Sequence, residues 1–145
     1  MKQVKLDLTV VLKGPCVDIK NIPVTIGITN NDAKDYFISS DAILWDGFTS
    51  DKFCIVSEKG DRVDYIGRMV KYKPEDILLQ SGHTIEKTVN LAETYDIHPE
   101  KYSFSYSTCI GYHEKDQNMD FQSQAELLQV SDIVLDCQSS DVGHP

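Results

Sequence analysis

The N-terminal segment of this chain alternates apolar and polar side chains with a period of two residues. Leu6, Leu8 and Val10 fall on one side of an extended chain, and Asp7 and Thr9 fall on the other. An extended chain turns successive side chains to opposite faces, whereas a helix needs apolar residues three or four positions apart. The pattern therefore predicts a strand with one face in a hydrophobic core, and it favours a fold built from sheets.

The same alternation recurs between clusters of turn residues along the chain. It spans residues 22–28, 52–57, 84–91, 102–107 and 124–137. About seven to nine short strands, with turns roughly every 8–12 residues and no amphipathic helix of useful length, are typical of antiparallel sandwiches. We predict an all-β fold, an immunoglobulin-like antiparallel β-sandwich with Greek-key connections.

Two local features refine this prediction. The turn around Gly60 predicts a hairpin whose second strand covers residues 62–66. Tyr102 follows a turn at the entrance to a strand, where the hydroxyl of a tyrosine corner contacts upstream backbone in Greek-key sandwiches. A plain core tyrosine is the alternative interpretation of Tyr102.

Length and charge limit the functions that this fold can serve. A chain of 145 residues is the size of one domain, and we predict one β-sandwich domain over residues 1–138 with a mobile tail over 139–145. The net charge of -9 argues against nucleic-acid binding, which needs a basic surface, and against binding to an anionic membrane. No apolar run approaches the roughly 20 residues of a membrane-spanning helix.

The four cysteines, Cys16, Cys54, Cys109 and Cys137, are far apart, and no pair has the spacing of a zinc site or a redox motif. Three pairings are open, and the spacing does not choose among them. One interpretation is that several are small buried hydrophobic residues. Strand parity turns Cys137 inward and Cys109 outward, which disfavours a bond between those two.

The N-terminus lacks the uninterrupted apolar stretch of a signal peptide, because Lys5 and Asp7 interrupt it. We therefore expect a cytoplasmic protein if the chain is complete, and a secreted one if it is a mature fragment. A secreted chain is expected to hold one or two disulfides.

Catalytic motifs are hard to find in this sequence. His113-Glu114 resembles the start of a zinc-protease motif, but the second histidine three residues after the glutamate is missing. Residues 113–120 are polar and predict a loop. Since no nucleophile elbow, phosphate loop or dinucleotide motif occurs, we predict no enzyme, no catalytic residue, no metal site and no cofactor.

The candidate binding residues lie in two regions of the chain. Aromatic residues cluster between residues 36 and 53, and tryptophan and tyrosine are common interface anchors, although a core cluster is the alternative. The polar loop supplies side chains that could reach a partner's metal ion. The binding candidates are Trp45, Phe48, His113, Glu114 and Asp116.

Three runs in the same order carry a resemblance to a known family. They are Ser-Asp-x-Phe over residues 50–53, Tyr-x-Gly-x-x-Val-Lys over 65–71 and Leu-x-x-x-Tyr-Asp over 91–96. Over roughly residues 4 to 108 the chain resembles the N-terminal non-catalytic domain of aspzincin metalloendopeptidases, the deuterolysin and peptidyl-Lys metalloendopeptidase group. In that family the domain is an immunoglobulin-like propeptide, and the 145 residues do not include the family's His-Glu-x-x-His helix.

The resemblance implies a non-catalytic protein-binding sandwich, a propeptide-like inhibitor or binding partner of a zinc metalloendopeptidase. One alternative is a general immunoglobulin-like interaction module with no protease partner, since one such fold hosts many unrelated roles. Another is a propeptide fragment cut from a longer precursor. In each case the expected partner is a protein, and the charge of -9 predicts that its docking surface is neutral or basic.

Overall fold

The computed structural model describes residues 6–12, 16–44, 52–67, 69, 75–114 and 124–138. Within these ranges no helix has the length and apolar character needed to cross a membrane. Two short 3₁₀ turns cover Ser40–Ile43 and Leu91–Glu93. The strands are β1 (Leu6–Leu12), β2 (Pro23–Asn30), β3 (Tyr36–Ser39), β4 (Phe53–Ser57), β5 (Asp76–Leu79), β6 (Thr84–Asn90), β7 (Lys101–Glu114) and β8 (Gln124–Asp136).

The smaller sheet contains the N-terminal alternating segment. Its three strands are antiparallel in the order β1-β2-β6. Val24, Ile26 and Ile28 of β2 are fully buried, and the outward residues of β1 are exposed, as the period of two predicts. A Cβ atom at Gly27 would lie 2.8 Å from the Thr9 hydroxyl oxygen, so any larger residue there would force the Thr9 side chain to move.

The larger sheet is organised around β7. β8 pairs with β7 along its length, while β4 pairs with the first half of β7 and β3 with its last residues. β5 pairs with β3 at the edge. All pairings in both sheets are antiparallel and the inner faces share one hydrophobic core, which confirms the prediction of an all-β sandwich.

β3 and β4 lie one after the other along the same edge of β7, and residues 40–52 connect them in the chain. The Tyr106 hydroxyl donates to the Ala42 carbonyl oxygen at 2.7 Å, where this connection begins. The Tyr95 hydroxyl oxygen accepts from the backbone N–H groups of Lys52 and Phe53 at 3.0 and 2.8 Å, where it ends. Because both tyrosines are buried, the two ends of the connection are fixed to the core.

Phe53 is the centre of an aromatic cluster in the core. Its ring centroid lies 4.9 Å from that of Tyr106, 5.6 Å from that of Phe104 and 6.1 Å from that of Tyr95. Tyr65 extends the cluster with an edge contact to Tyr95 at 5.4 Å. The cluster joins β4, β7 and the segment that precedes β7.

The start of β7 has the geometry of a tyrosine corner. The backbone N–H of His98 donates to the Tyr102 hydroxyl oxygen at 2.9 Å, and that hydroxyl lies 3.2 Å from the His98 carbonyl oxygen, to which it can donate. The contact with backbone four residues upstream is the one that the sequence position of Tyr102 predicts. Burial, together with the Glu100 carboxylate, raises the pKa of Tyr102 above its ordinary value of 10.0, although the bond from His98 opposes this shift.

The cysteines do not behave as small buried hydrophobic residues. Cys16 and Cys137 form a disulfide that joins the segment after β1 to the end of β8. Both of these cysteines are buried, whereas Cys54 and Cys109 are free thiols on the surface. The inward side of Cys137 and the outward side of Cys109 agree with strand parity.

The predicted strand over residues 62–66 is wrong. Only two isolated bridges occur there, Val56 with Arg62 and Tyr65 with Tyr95. Residues 62–66 run from the edge of β4 to the segment just before β7. They therefore do not pair with either neighbour over enough residues to form a strand. The predicted tail over 139–145 lies outside the described residues.

Candidate functional site

His113 and Glu114 belong to β7 and not to a loop. The prediction of a loop over residues 113–120 is therefore wrong for these two residues. Their side chains break the apolar alternation, but their backbone pairs with β3, where Phe37 faces His113 and Tyr36 faces Glu114. Pairing with a distant strand, which a local pattern does not show, fixes this part of the chain. Asp116 lies outside the described residues.

The imidazole of His113 stacks on the ring of Phe37. The ring centroids lie 5.3 Å apart at an interplanar angle of 27°. Both residues are half-buried on the outer face of the larger sheet. The stack limits the orientations of the imidazole while leaving part of it open to solvent.

Glu114 is the next residue of β7, so its side chain points to the side of the sheet opposite this stack, where it forms an ion pair. Its Oε1 atom accepts from Lys34 Nζ at 2.7 Å. The pair borders an open depression of about 400 Å³ that is lined by Ala33, Lys34, Asp35 and Glu114. We call the group of Lys34, Phe37, His113 and Glu114 the β3–β7 patch.

The patch rests on a buried tyrosine. The Tyr36 hydroxyl donates to Asp32 Oδ2 at 3.1 Å, and the Tyr36 ring contacts the edge of Tyr112 at 5.8 Å. Burial, together with the Asp32 carboxylate, raises the pKa of Tyr36 from 10.0 to about 12. The hydroxyl therefore keeps its proton, and its bond to Asp32, through the physiological pH range.

Tyr36→Phe is expected to change how the stability of the chain depends on alkaline pH. A tyrosine in the unfolded chain loses its proton near pH 10, whereas folded Tyr36 keeps it to about pH 12. The unfolded state then binds fewer protons in this window, so the free energy of unfolding falls as pH rises from about 10 to 12. Tyr36→Phe removes this contribution and should show a shallower fall in urea unfolding; slopes equal to those of the parent chain would contradict the assignment.

The aromatic residues between 36 and 53 separate into two environments. Tyr36 and Phe53 are buried in the core, as the alternative interpretation of a core cluster expects, and Phe37 faces outward in the β3–β7 patch. Trp45 and Phe48 lie outside the described residues, in the connection whose two ends are fixed by Tyr106 and Tyr95. Their role as binding residues stays a prediction.

Sequence reasoning missed Phe37 and Lys34. Neither residue is near His113 in the chain, and only the antiparallel register of β3 and β7 brings them together. Phe37 alternates with the buried Tyr36 and Ile38. That alternation was the available indication that Phe37 is an aromatic residue on an outer face.

A second depression, of about 290 Å³, lies at the opposite end of β7, beside the tyrosine corner. Four acidic side chains line this depression, and the basic side chains of Lys59 and Arg62 also line it. His98 Nε2 lies 3.3 Å from Asp96 Oδ2 at its rim. Within the described ranges, no group of three or more histidine, cysteine or acidic side chains is arranged to hold a metal ion.

No family model matches the chain, and no curated protein matches it. Among solved structures, the chain is similar to the X-ray structure of Northeast Structural Genomics Consortium target SoR45. The identity is 10% over 98% of this chain and 89% of that chain, with a TM-score of 0.36. A likeness at this level carries no argument about function.

Proposed function

We propose that this chain is a non-catalytic binding protein that docks on a zinc metalloendopeptidase and inhibits it. The β3–β7 patch is the proposed docking surface, and the stack of His113 on Phe37 is the observation that carries the proposal. The order of the three sequence runs that resemble the aspzincin propeptide-like domain supports the choice of partner. The immunoglobulin-like character of the sandwich belongs to the same proposal, and the tyrosine corner at Tyr102 supports it.

The chemistry of the patch suits a metalloprotease active site. A neutral imidazole is one of the ligands that zinc prefers, and the catalytic zinc of a protease keeps a coordination position open for water or substrate. Stacking on Phe37 reduces the side-chain entropy that His113 would lose on binding. Glu114 is already paired with Lys34, so the imidazole is the better candidate for the zinc, and the ion pair suits the rim of the interface.

Two further properties fit this role. The charge of -9 favours a partner with a neutral or basic surface and speeds the encounter with it. The Cys16–Cys137 disulfide is of the kind that persists in oxidising compartments. We therefore place the proposed activity outside the reducing cytosol, where secreted proteases act.

His113→Ala is expected to weaken inhibition of an aspzincin endopeptidase about tenfold or more, because it removes both a zinc ligand and the stack on Phe37. The measurement is the rate of peptide cleavage as a function of inhibitor concentration. His98→Ala is the matched control, since His98 is exposed and lies roughly 40 Å away along β7. Equal inhibition constants for the two variants would remove the patch from the proposal.

The alternative is a general interaction module with no protease partner. Affinity capture from the native source, with the intact chain as bait, distinguishes the protease inhibitor from the general interaction module. Recovery of a zinc endopeptidase with the parent chain, but not with His113→Ala, supports the proposed function. If the recovered protein is of another class and the protease assay shows no slowing of cleavage, the general module is the correct interpretation.

A further inference from the structure

Residues 62–67 lie on the surface of the molecule but cover a buried ring of the core. Every residue of this segment is exposed or half-buried. The half-buried ring of Tyr65 makes an edge contact with the ring of Tyr95 at 5.4 Å, and Tyr95 itself is only 1% exposed. We call residues 62–67 the strap, and its contact with Tyr95 helps to exclude water from that ring.

The strap divides its backbone hydrogen bonds between two neighbours. On one side, the N–H group of Val63 donates to a carbonyl oxygen of β4 at 2.8 Å. On the other side, Ile66 donates to the Thr94 carbonyl oxygen at 2.7 Å, and the Asp64 carbonyl oxygen accepts from Asp96 at 3.2 Å. The pairing with each neighbour is an isolated bridge and not a ladder. Because segments with little buried surface open at a lower free energy than the core, the strap can open while the sheets stay folded.

The side chain of Thr94 lies beneath the strap and favours its opening. Its Oγ1 atom is buried and has no hydrogen-bond partner among the described residues. A Cβ atom at Gly67 would lie 2.8 Å from Thr94 Cγ2, so the backbone of the strap passes directly over this side chain. A buried hydroxyl without a partner destabilises the closed strap, and water can bond to it when the strap opens.

Tyr95 connects the strap to the end of the 40–52 connection. Its hydroxyl oxygen accepts from the backbone N–H groups of Lys52 and Phe53 at 3.0 and 2.8 Å. These bonds are favoured by a site that excludes water. When the strap opens, water reaches the Tyr95 ring and competes for the same N–H groups.

We infer that the strap, Tyr95 and the backbone N–H group of Lys52 open and close together while the two sheets stay folded. The strap is thus a conformational device that controls how firmly the end of the 40–52 connection is held. Because coupling between two sites is reciprocal, a molecule that holds the strap closed also holds Lys52 in place. The inference is independent of the proposed protease partner.

Amide hydrogen exchange of the intact chain, followed by NMR, tests this coupling. We expect the N–H groups of Lys52, Ile66 and Asp96 to share one protection factor. It should be lower than that of β2, which is paired on both sides. Thr94→Val should slow exchange of the three groups about tenfold, because it keeps the shape of the side chain and removes the unpartnered hydroxyl. Tyr65→Ala should speed their exchange about tenfold or more, because it uncovers Tyr95.

Ile66→Ala is the matched control within the strap. Its side chain is 61% exposed, so the exchange rate of Lys52 should change by less than about twofold. An exchange rate of Lys52 that stays unchanged in both Thr94→Val and Tyr65→Ala would overturn the coupling. Equal changes at Lys52 and in β2 would show that the strap opens only when the whole chain unfolds, which would also overturn the inference.

Discussion

Replacing Cys16 and Cys137 by alanine is expected to lower the free energy of unfolding by about 5 kcal/mol. The disulfide joins residues separated by 121 positions, so it encloses most of the chain in one ring. Closing a ring of this length restricts the unfolded ensemble by about 5 kcal/mol in the chain-entropy account. Because single domains are stable by only about 5–15 kcal/mol, the variant should be close to the unfolding threshold.

The measurement is urea unfolding of the oxidised parent chain and of the double variant, followed by circular dichroism. Cys54→Ala/Cys109→Ala is the matched control, because it also removes two sulfurs but from exposed thiols. It should shift stability by less than about 0.5 kcal/mol. If the double variant is unfolded without urea, reduction of the folded parent chain by a small thiol gives the same comparison. Equal midpoints for the two double variants would contradict a structural role for the disulfide.

Phe53→Ala is expected to cost about 3–5 kcal/mol, the usual range for removing a buried phenylalanine. Phe53 contacts three aromatic rings of the core, so its removal leaves a cavity among large side chains. Its backbone N–H also donates to Tyr95 at 2.8 Å. A distortion at Phe53 would therefore extend to the end of the 40–52 connection.

Phe37→Ala is the matched control for Phe53→Ala. It removes the same side chain from an outer face, where the main contact is the stack on His113, and should cost about 1 kcal/mol. Thermal or urea unfolding of both variants measures the difference. A cost for Phe37→Ala as large as that for Phe53→Ala would show that the core is not centred where the structure places it.

The sandwich could be predicted from the local sequence pattern, because a strand with one buried face has an apolar residue at every second position. Residues 22–28 alternate in this way, and Val24, Ile26 and Ile28 are fully buried as that pattern indicates, although Thr25 on the other face of β2 is buried too. The tyrosine corner could be predicted for a similar reason, since its hydroxyl contacts backbone only four residues away. Both features depend on short-range geometry.

The disulfide and the β3–β7 patch depend on long-range geometry. Four cysteines allow three pairings, and the parity of Cys137 alone does not choose its partner. His113 contacts Phe37 only because β3 pairs with the last residues of β7. The residues after Tyr112 are polar, so the sequence pattern does not indicate that the strand continues through His113 and Glu114. Residues 62–66 have the amino-acid types that are common in strands, but in the structure they form only isolated bridges with their neighbours.

We propose that this chain binds a zinc metalloendopeptidase through the β3–β7 patch. The most direct measurement is calorimetric titration of a purified aspzincin endopeptidase with the intact chain, with its disulfide formed. We expect one-to-one binding at micromolar affinity or tighter, with a parallel loss of peptide cleavage. Absence of binding heat and unchanged cleavage at micromolar concentrations of the chain would contradict it.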